Sequence, residues 1–256
     1  MTLPVFCLLM SEIRHAPTAP TTTRVLAAGS SIDAHRHDEN QIVYAGHGVL
    51  SVSTDAGVWV TPANRAIWVP AGTVHAHRAF GVTTLHTVGL SGSIDLLPRS
   101  APAVLAVSPL MRELLIAYTA TPGATGPARR RLRAVLLDQL RVAPEQPLHL
   151  PAPRDARLRR VAELLEGNLS EPRSLEQLAD LVDTSPRTLS RLCRDELAMT
   201  LPQWRTQIRL HHALQRLADG HPVTAVAVDC GWATPSAFID VYRRNFGKTP
   251  GAQRQA

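Results

Sequence analysis

The sequence predicts an α+β protein in two parts: an N-terminal antiparallel β-barrel backed by a helical pair, and an all-α C-terminal part. Three observations predict it. Residues 24–90 alternate apolar and polar side chains with period two between turn-forming clusters, which is a strand pattern. Residues 109–141 and the C-terminal hundred or so switch to helical spacing. Between Ser174 and Phe246, one short helical pattern occurs twice.

A chain of 256 residues is long enough for two modest cores. With 45% hydrophobic and 19% charged residues it is globular rather than disordered. The net charge of +6 comes from 27 basic and 21 acidic side chains. Residues 151–256 hold 15 of the basic and 12 of the acidic ones, so the excess is spread along the chain. Charge alone therefore permits a nucleic-acid partner without demonstrating one. Every basic residue but Lys248 is arginine, a bias that reflects genome composition as much as chemistry. Cys7, Cys193 and Cys230 are odd in number, far apart and lack C-x-x-C spacing. They read as small core hydrophobes in a reducing compartment, not as a disulfide framework or zinc site. The opening MTLPVFCLLM has no basic residue before it and no cleavage site, and no apolar run is long enough to cross a bilayer. The expected location is the cytoplasm, with no membrane partner.

Strand candidates are residues 41–45, 49–54, 58–61 and 66–70, separated by Gly46, Gly48, Asp55-Ala56-Gly57 and Pro62-Ala63-Asn64. Short strands at this spacing predict a small barrel or double-sheet jelly roll. Residues 91–102 read as loop. Residues 109–119 carry Leu110, Leu114 and Ala117 at helical spacing, and residues 127–141 carry Leu132, Val135, Leu136, Leu137 and Leu140. Arg129, Arg130, Arg131 and Arg133 are expected on the solvated side of that second helix. Four prolines in residues 142–153 mark an interdomain linker. The chain thus divides into a barrel (1–100), a helical element with linker (101–153) and a helical domain (154–256).

That last domain opens with a supporting helix over 155–167. Leu175, Leu178, Ala179 and Val182 then stand at i, i+3, i+4 and i+7, and Val223, Val226, Ala227 and Cys230 repeat this stripe 48 residues later. After each break a second helix starts, with Ser185 or Thr234 as N-cap and Pro186 or Pro235 first. Its inward residues are Leu189, Leu192, Cys193 and Leu197, then Phe238, Val241, Tyr242 and Phe246, 49 residues on because the second turn is one residue longer. Asp183 and Gly231 stand at the breaks and suit a left-handed conformation. Residues 201–219 read as one helix with Trp204, Ile208, Leu214 and Leu217 inward. At about 1.5 Å per residue it spans roughly 28 Å, which suits successive major grooves about 34 Å apart. Helix, short turn, helix, twice over, is two helix-turn-helix units, an arrangement fitted to duplex DNA.

The outward residues are the candidate DNA contacts. On the first recognition helix they are Arg187, Thr188, Ser190, Arg191 and Arg194, with the three arginines on one side. Arginine pairs bidentately with guanine O6/N7, so Arg187 and Arg191, with Ser190 between, are the base readers and Arg194 meets phosphate. On the second helix they are Ser236, Ala237, Ile239 and Asp240, followed by Arg243 and Arg244. There, apolar contact with thymine methyls and arginine contact with the backbone are expected, and Asp240 is repelled by phosphates.

With S-L-x-x-L-A from Ser174, the run RTLSRLCR from Arg187, and G-W-x-x-x-S-A-F-x-x-x-Y-R-R-x-F-G-x-T-P ending at Pro250, the chain resembles the AraC/XylS family of bacterial transcription regulators over residues 155–253. The resemblance implies a C-terminal DNA-binding domain preceded by a sensing or dimerising one, with the helical pair as dimerisation element. From the residues alone, that pair serves equally well to cap the barrel of a monomer.

A second resemblance is to cupins. Gly29, five residues, His35-Arg36-His37, three residues, Gln41, six residues, Gly48 is similar to the first cupin motif, with Gln41 in place of the usual glutamate. Pro70-Ala71-Gly72-Thr73-Val74-His75 is similar to the second, with Asn64 and Ala79 where glycine and asparagine are usual. The resemblance implies a barrel mouth facing a ligand. His35 and His37 share a strand face and His75 comes from a facing strand. Three imidazoles with the Gln41 carboxamide suit zinc, nickel or iron(II). The alternative is a polar pocket with no ion. His77 and His86, with Asp38 and Glu39, are further polar candidates near that mouth, and Trp59 and Trp68 are core or pocket walls.

The prediction is a sequence-specific, dimeric DNA-binding regulator whose barrel senses a small ligand or metal. By resemblance it controls nearby genes such as a transporter, with RNA polymerase as a further partner. The competing class is a cupin oxygenase or isomerase with a helical tail, against which the missing metal carboxylate and the duplicated module both count.

Overall fold

The computed structural model describes residues 13–91, 101–146 and 149–254. Cys7, the apolar start of the chain and residues 92–100 of the expected loop lie outside the described residues. The described chain forms two compact units, one from residues 13–55, 59–91, 101–146 and 149, the other from 56–58 and 150–254. The architecture is mixed α+β, with a large N-terminal sheet and C-terminal helices.

The sheet and its two helices run, in chain order, β1 (Arg14–Ala16), β2 (Thr22–Leu26), β3 (Ser31–His37), β4 (Asn40–Thr54), β5 (Gly57–Pro62), β6 (Arg65–Val69), β7 (His75–Leu90), β8 (Ala103–Ala106), α1 (Pro109–Ala120), α2 (Pro127–Val142), β9 (Glu145–Gln146) and β10 (His149–Pro151). The sheet hangs on β4 and β7, which pair antiparallel from Asn40 opposite Leu90 to Ser53 opposite Ala76. Their two ends have different neighbours. β3 pairs with the His75 end of β7 and β2 with the Leu90 end. β6 joins the Asn40 end of β4 and leads on to β8 and β9. β5 pairs with β4 and β10, and β1 lies parallel to β3.

The strands expected at 41–45 and 49–54 are therefore one strand. Gly46 and Gly48 do not turn the chain; they fall where the register shifts, Gly46 as an extra residue in β4 between Ala45 and His47, and Gly48 opposite the extra residues 81–83 of β7 between His47 and Val49. Gly48 takes φ 81°, and a Cβ there would stand 2.6 Å from the Val82 carbonyl oxygen. β8 is absent from the sequence pattern because four residues, AVLA, are too few to display a period.

Alternation along β4 and β6 sends Ile42, Tyr44 and Trp68 to one face, where they share a core with Met111 and Leu115 of α1 and Leu136 and Leu140 of α2. α1 is capped by Ser108, whose Oγ accepts from the Met111 N–H at 3.1 Å. Arg129 is not on a solvated face as expected. Its guanidinium donates to the carbonyls of Tyr118 (3.0 Å) and Thr121 (2.8 Å) and lies 3.9 Å from the Tyr118 ring, a cation closing the C-terminal end of α1. Val135, expected inward, is exposed.

The second unit comprises α3 (Ala156–Gly167), α4 (Leu175–Asp180), α5 (Pro186–Leu197), α6 (Leu201–Ala218), α7 (Val223–Asp229), α8 (Pro235–Phe246) and α9 (Pro250–Arg254). α6 is its axis. Trp204 and Ile208 share a core with Val161 and Leu165 of α3, and with Leu178, Leu189 and Cys193 of α4 and α5. Val226, Phe238, Tyr242 and Phe246 are also buried, the last three in a run of ring contacts at 4.5–5.6 Å. Cys193 and Cys230 are free and buried, and burial pushes their thiols up to about 11 and about 12. They are core fillers, as their spacing implied.

α6 also buries His211 and His212, which the helical pattern does not single out. Burial, with the neighbouring His212 charge, lowers His211 from 6.5 to about 3; burial, with Arg216, lowers His212 to about 4. His211 Nε2 lies 2.6 Å from the Gln215 amide nitrogen, which donates to it. Both rings are neutral in the folded state. Between pH 6.5 and about 4 the unfolded chain therefore takes up protons that the folded one refuses, and stability falls as pH falls. Each ring contributes a slope of up to about 1.4 kcal/mol per pH unit. The melting temperature of the helical unit, followed by far-UV circular dichroism, is expected to drop between about pH 7 and about pH 5. His211→Gln with His212→Gln should flatten that drop; an unchanged profile would refute the assignment.

Candidate functional site

The two helix pairs leave their first helix by the same hydrogen bonds. The Thr184 N–H donates to the Ala179 carbonyl at 3.0 Å and the Asp183 N–H to the Asp180 carbonyl at 3.3 Å. Forty-eight residues on, Trp232 donates to Ala227 at 2.9 Å and Gly231 to Val228 at 2.9 Å. This paired exit requires a left-handed residue between, and Asp183 (φ 51°) and Gly231 (φ 79°) supply it. The second helices then start alike. Ser185 Oγ accepts from the Thr188 N–H and Thr234 Oγ1 from the Ala237 N–H, both at 3.1 Å, with Pro186 and Pro235 first in the helix.

With Leu189, Cys193 and Leu197 inward, α5 exposes Arg187, Arg191 and Arg194 along one side. A concave space of about 720 Å³ lies among these arginines, Thr188, Ser190 and Asp195. Thr188 is the least available of the expected contacts, because its hydroxyl lies 2.9 Å from the capping Ser185 Oγ. On α8, Ser236, Ala237, Asp240, Arg243 and Arg244 are exposed and Ile239 is half-buried. Arg243 pairs with Asp240 at 3.2 Å. Asp240, the acidic member of that set, thus holds one of its two arginines, an internal pairing that the sequence reading did not include.

In the sheet unit the histidines converge. β3 and β7 place His35, His37, His75 and His77 so that the rings of His35 and His75 each lie within 4.3–5.5 Å, centroid to centroid, of the other three, and all four are buried. The tightest group is His35, His75 and His77, whose ligand-capable nitrogens lie within 4.8 Å of one another. His77, expected as a further polar candidate near the barrel mouth, groups with His35 and His75, and His37 of the expected trio stands beside that group. The cause is the register shift between Ile32 and His35, which brings His35 opposite His75 while His77 follows two residues along the same strand face. The signal was present as a second His-x-His at 75–77, equal in spacing to 35–37. Burial lowers all four, His75 to about 4 and His77 well below its usual value, and neighbouring imidazoles add to this for His37, His75 and His77. Burial thus favours the neutral imidazole, the form whose lone pair can bind a metal. Gln41 is buried, and among the described residues its Oε1 has no hydrogen-bond partner.

The remaining pocket candidates each contact a neighbouring element. His86 Nδ1 lies 2.7 Å from Thr119 Oγ1 of α1, and Trp68 belongs to the core beneath the helices. Trp59 stacks on His149 at 4.3 Å. Asp38 pairs with His15, and Glu39 accepts the Ala19 N–H at 3.0 Å, so both hold the segment leading into β2. Among the described residues, no helix is long and apolar enough to cross a membrane.

Comparison with known proteins gives this geometry its context. A family model described as a helix-turn-helix domain matches residues 178–256. The HTH-type transcriptional regulator NimR of Escherichia coli (strain K12) is 33% identical over 219 residues, which cover 85% of this chain and 80% of NimR. The HTH-type transcriptional regulator RipA of Corynebacterium glutamicum is 36% identical over 101 residues, covering 40% of this chain and 30% of RipA. A crystal structure of a transcriptional regulator with an AraC-type DNA-binding domain, from Chromobacterium violaceum, has 29% identity and a TM-score of 0.37, covering 39% of this chain and 89% of that one. The protein is thus a DNA-binding transcriptional regulator and not an enzyme. More narrowly, the chain belongs to the AraC/XylS family.

Proposed function

We propose that the protein reads specific DNA sequence through two helix-turn-helix motifs, α4 with α5 and α7 with α8, and that its N-terminal unit is a cupin-like effector domain. The observation that carries this reading is the repeat: the same exit bonds, the same type of cap and the same leading proline occur twice, 48 to 49 residues apart. Core packing needs no such duplication. The 18 residues of α6 span about 27 Å, a spacing fitted to successive major grooves about 34 Å apart. α5 is the main reader, with Arg187 and Arg191 aimed at guanines and Arg194 at phosphate. α8 contributes apolar contact through Ala237 and Ile239 and a backbone contact through Arg244.

The histidine-lined interior of the sheet unit binds a small ligand or metal, and occupancy biases how the helical unit meets DNA. Leu110 on α1 and Val135 on α2 are exposed apolar side chains that suit pairing of two copies. The protein works in the bacterial cytoplasm on promoters of neighbouring genes, such as a transporter gene, and RNA polymerase is a further partner there. Selection from a random duplex library with the full chain tests the reading. Two clusters of recognised positions, about 10 base pairs apart, are expected. One cluster, or no enrichment over non-specific competitor, would overturn it.

A further inference from the structure

We propose that the N-terminal unit holds one divalent d-block metal ion, of the zinc or nickel kind, on His35, His75 and His77, with His37 outside the ligand set. The inference rests on the effector-domain reading only for its regulatory consequence; the site itself stands on the geometry of three side chains.

One nitrogen from each ring lies within 4.8 Å of the other two. Around a tetrahedral ion with bonds of about 2.0–2.1 Å, ligand nitrogens stand about 3.4 Å apart, a closure within reach of small ring rotations. Two rings are already oriented. His35 Nδ1 lies 2.7 Å from the Asp33 carbonyl oxygen, and His75 Nδ1 lies 2.8 Å from that of Thr73. Each donates there, which fixes the proton on Nδ1 and leaves the Nε2 lone pair free, the arrangement that metal-binding histidines adopt. The third observation is polar atoms left bare. Among the described residues, His75 Nε2 and His77 Nδ1 are buried with no hydrogen-bond partner, as are both ring nitrogens of His37. Buried acceptors of this kind call for a donor or a cation, and an ion bound by His75 and His77 would satisfy those two.

The donor set selects the ion. Three imidazoles without a carboxylate suit zinc, nickel, copper or iron(II) and not magnesium or calcium, which require oxygen. Gln41 offers a neutral carboxamide, so the ion keeps its full charge and one position open to water or to an anionic small molecule. By ring centroid His37 stands as near to His35 and His75 (4.9 and 5.4 Å) as His77 does (5.5 and 5.1 Å), and what separates them is that the nitrogens of His77, and not those of His37, group with the other two within 4.8 Å.

The test uses the full chain, stripped with chelator, reloaded with zinc and passed through a desalting column before elemental analysis. One zinc per chain is expected for the wild type and for His37→Gln, and loss of that equivalent for His35→Gln, His75→Gln and His77→Gln. Cobalt(II) in place of zinc reports the same ligands as a visible d–d band that these three substitutions abolish and His37→Gln keeps. Thermal melts of the metal-free variants beside the metal-free wild type establish that they fold. Wild-type protein that retains no zinc, or a His77→Gln variant that retains as much as wild type, overturns the site. Promoter binding by the same preparations separates the two readings. Zinc bound one to one with no DNA sequence preference would refute the effector reading and leave the metal site standing, whereas sequence preference in wild type that takes up no zinc would do the reverse.

Discussion

Arg191→Ala is expected to lower the ratio of specific to non-specific DNA binding by roughly 5- to 150-fold, the equivalent of about 1–3 kcal/mol for one lost bidentate guanine contact. Arg191 lies mid-helix on the exposed side of α5, one turn beyond Arg187 and one before Arg194. The loss should fall on discrimination, because a base reader removed from a groove relaxes sequence preference at its own position. Arg194→Ala provides the contrast. As a phosphate contact it should weaken binding to all sequences alike and reduce the slope of log affinity against log salt by about 0.9. Ser236→Ala on α8 should change little, since that helix offers few free polar groups once Arg243 is paired with Asp240. Competition titrations at two salt concentrations separate these outcomes. Equal losses of discrimination at Arg191 and Ser236 would refute the division between the two helices.

Local chemistry made the helical half legible. Caps, prolines and the 3.6 period all act within a few residues, so Ser185, Thr234, Pro186 and Pro235 declare their helices without knowledge of what packs against them. Asp183 could be placed in the left-handed region for the same reason. The sheet half was legible only in outline. β4 continues through Gly46 and Gly48 because its partner β7 pairs with it on both sides of the register shifts there, and that partner begins 21 residues after β4 ends. The candidate metal trio depends on the same nonlocal fact. Sequence spacing pairs His35 with His37, but the register shift in β3 decides which imidazoles meet. Arg243 and Arg129 illustrate a third limit. Each is exposed in a helical projection, yet each is engaged by a group that the projection does not weigh.

Gly231→Ala is expected to be the most destabilising single-methyl change in the helical unit. An added Cβ would lie 2.3 Å from the Leu169 carbonyl oxygen and 2.8 Å from Ser170 Cα, backbone atoms that cannot swing aside. The same carbonyl accepts from Arg209 Nε at 2.9 Å, so displacing it disturbs a second contact. With φ at 79° the alanine also carries the left-handed penalty. That penalty of about 1–2 kcal/mol, and a comparable or larger cost for the overlap, give a loss of about 2–5 kcal/mol, or a fall in melting temperature of about 10 °C or more. The first repeat supplies the control. Asp183 adopts the same conformation with an ordinary side chain, so Asp183→Gly removes a left-handed strain at the equivalent position and should cost nothing, with a gain of up to about 1 kcal/mol. Ala198, left-handed at the end of α5 where Gly247 ends α8, should respond to glycine in the same direction. Thermal melts of the three variants decide the matter. The two exits share their hydrogen bonds, and only the second lies against the chain before α4, so similar losses for Asp183→Gly and Gly231→Ala would mean that the Leu169 contact is not what reserves this turn for glycine.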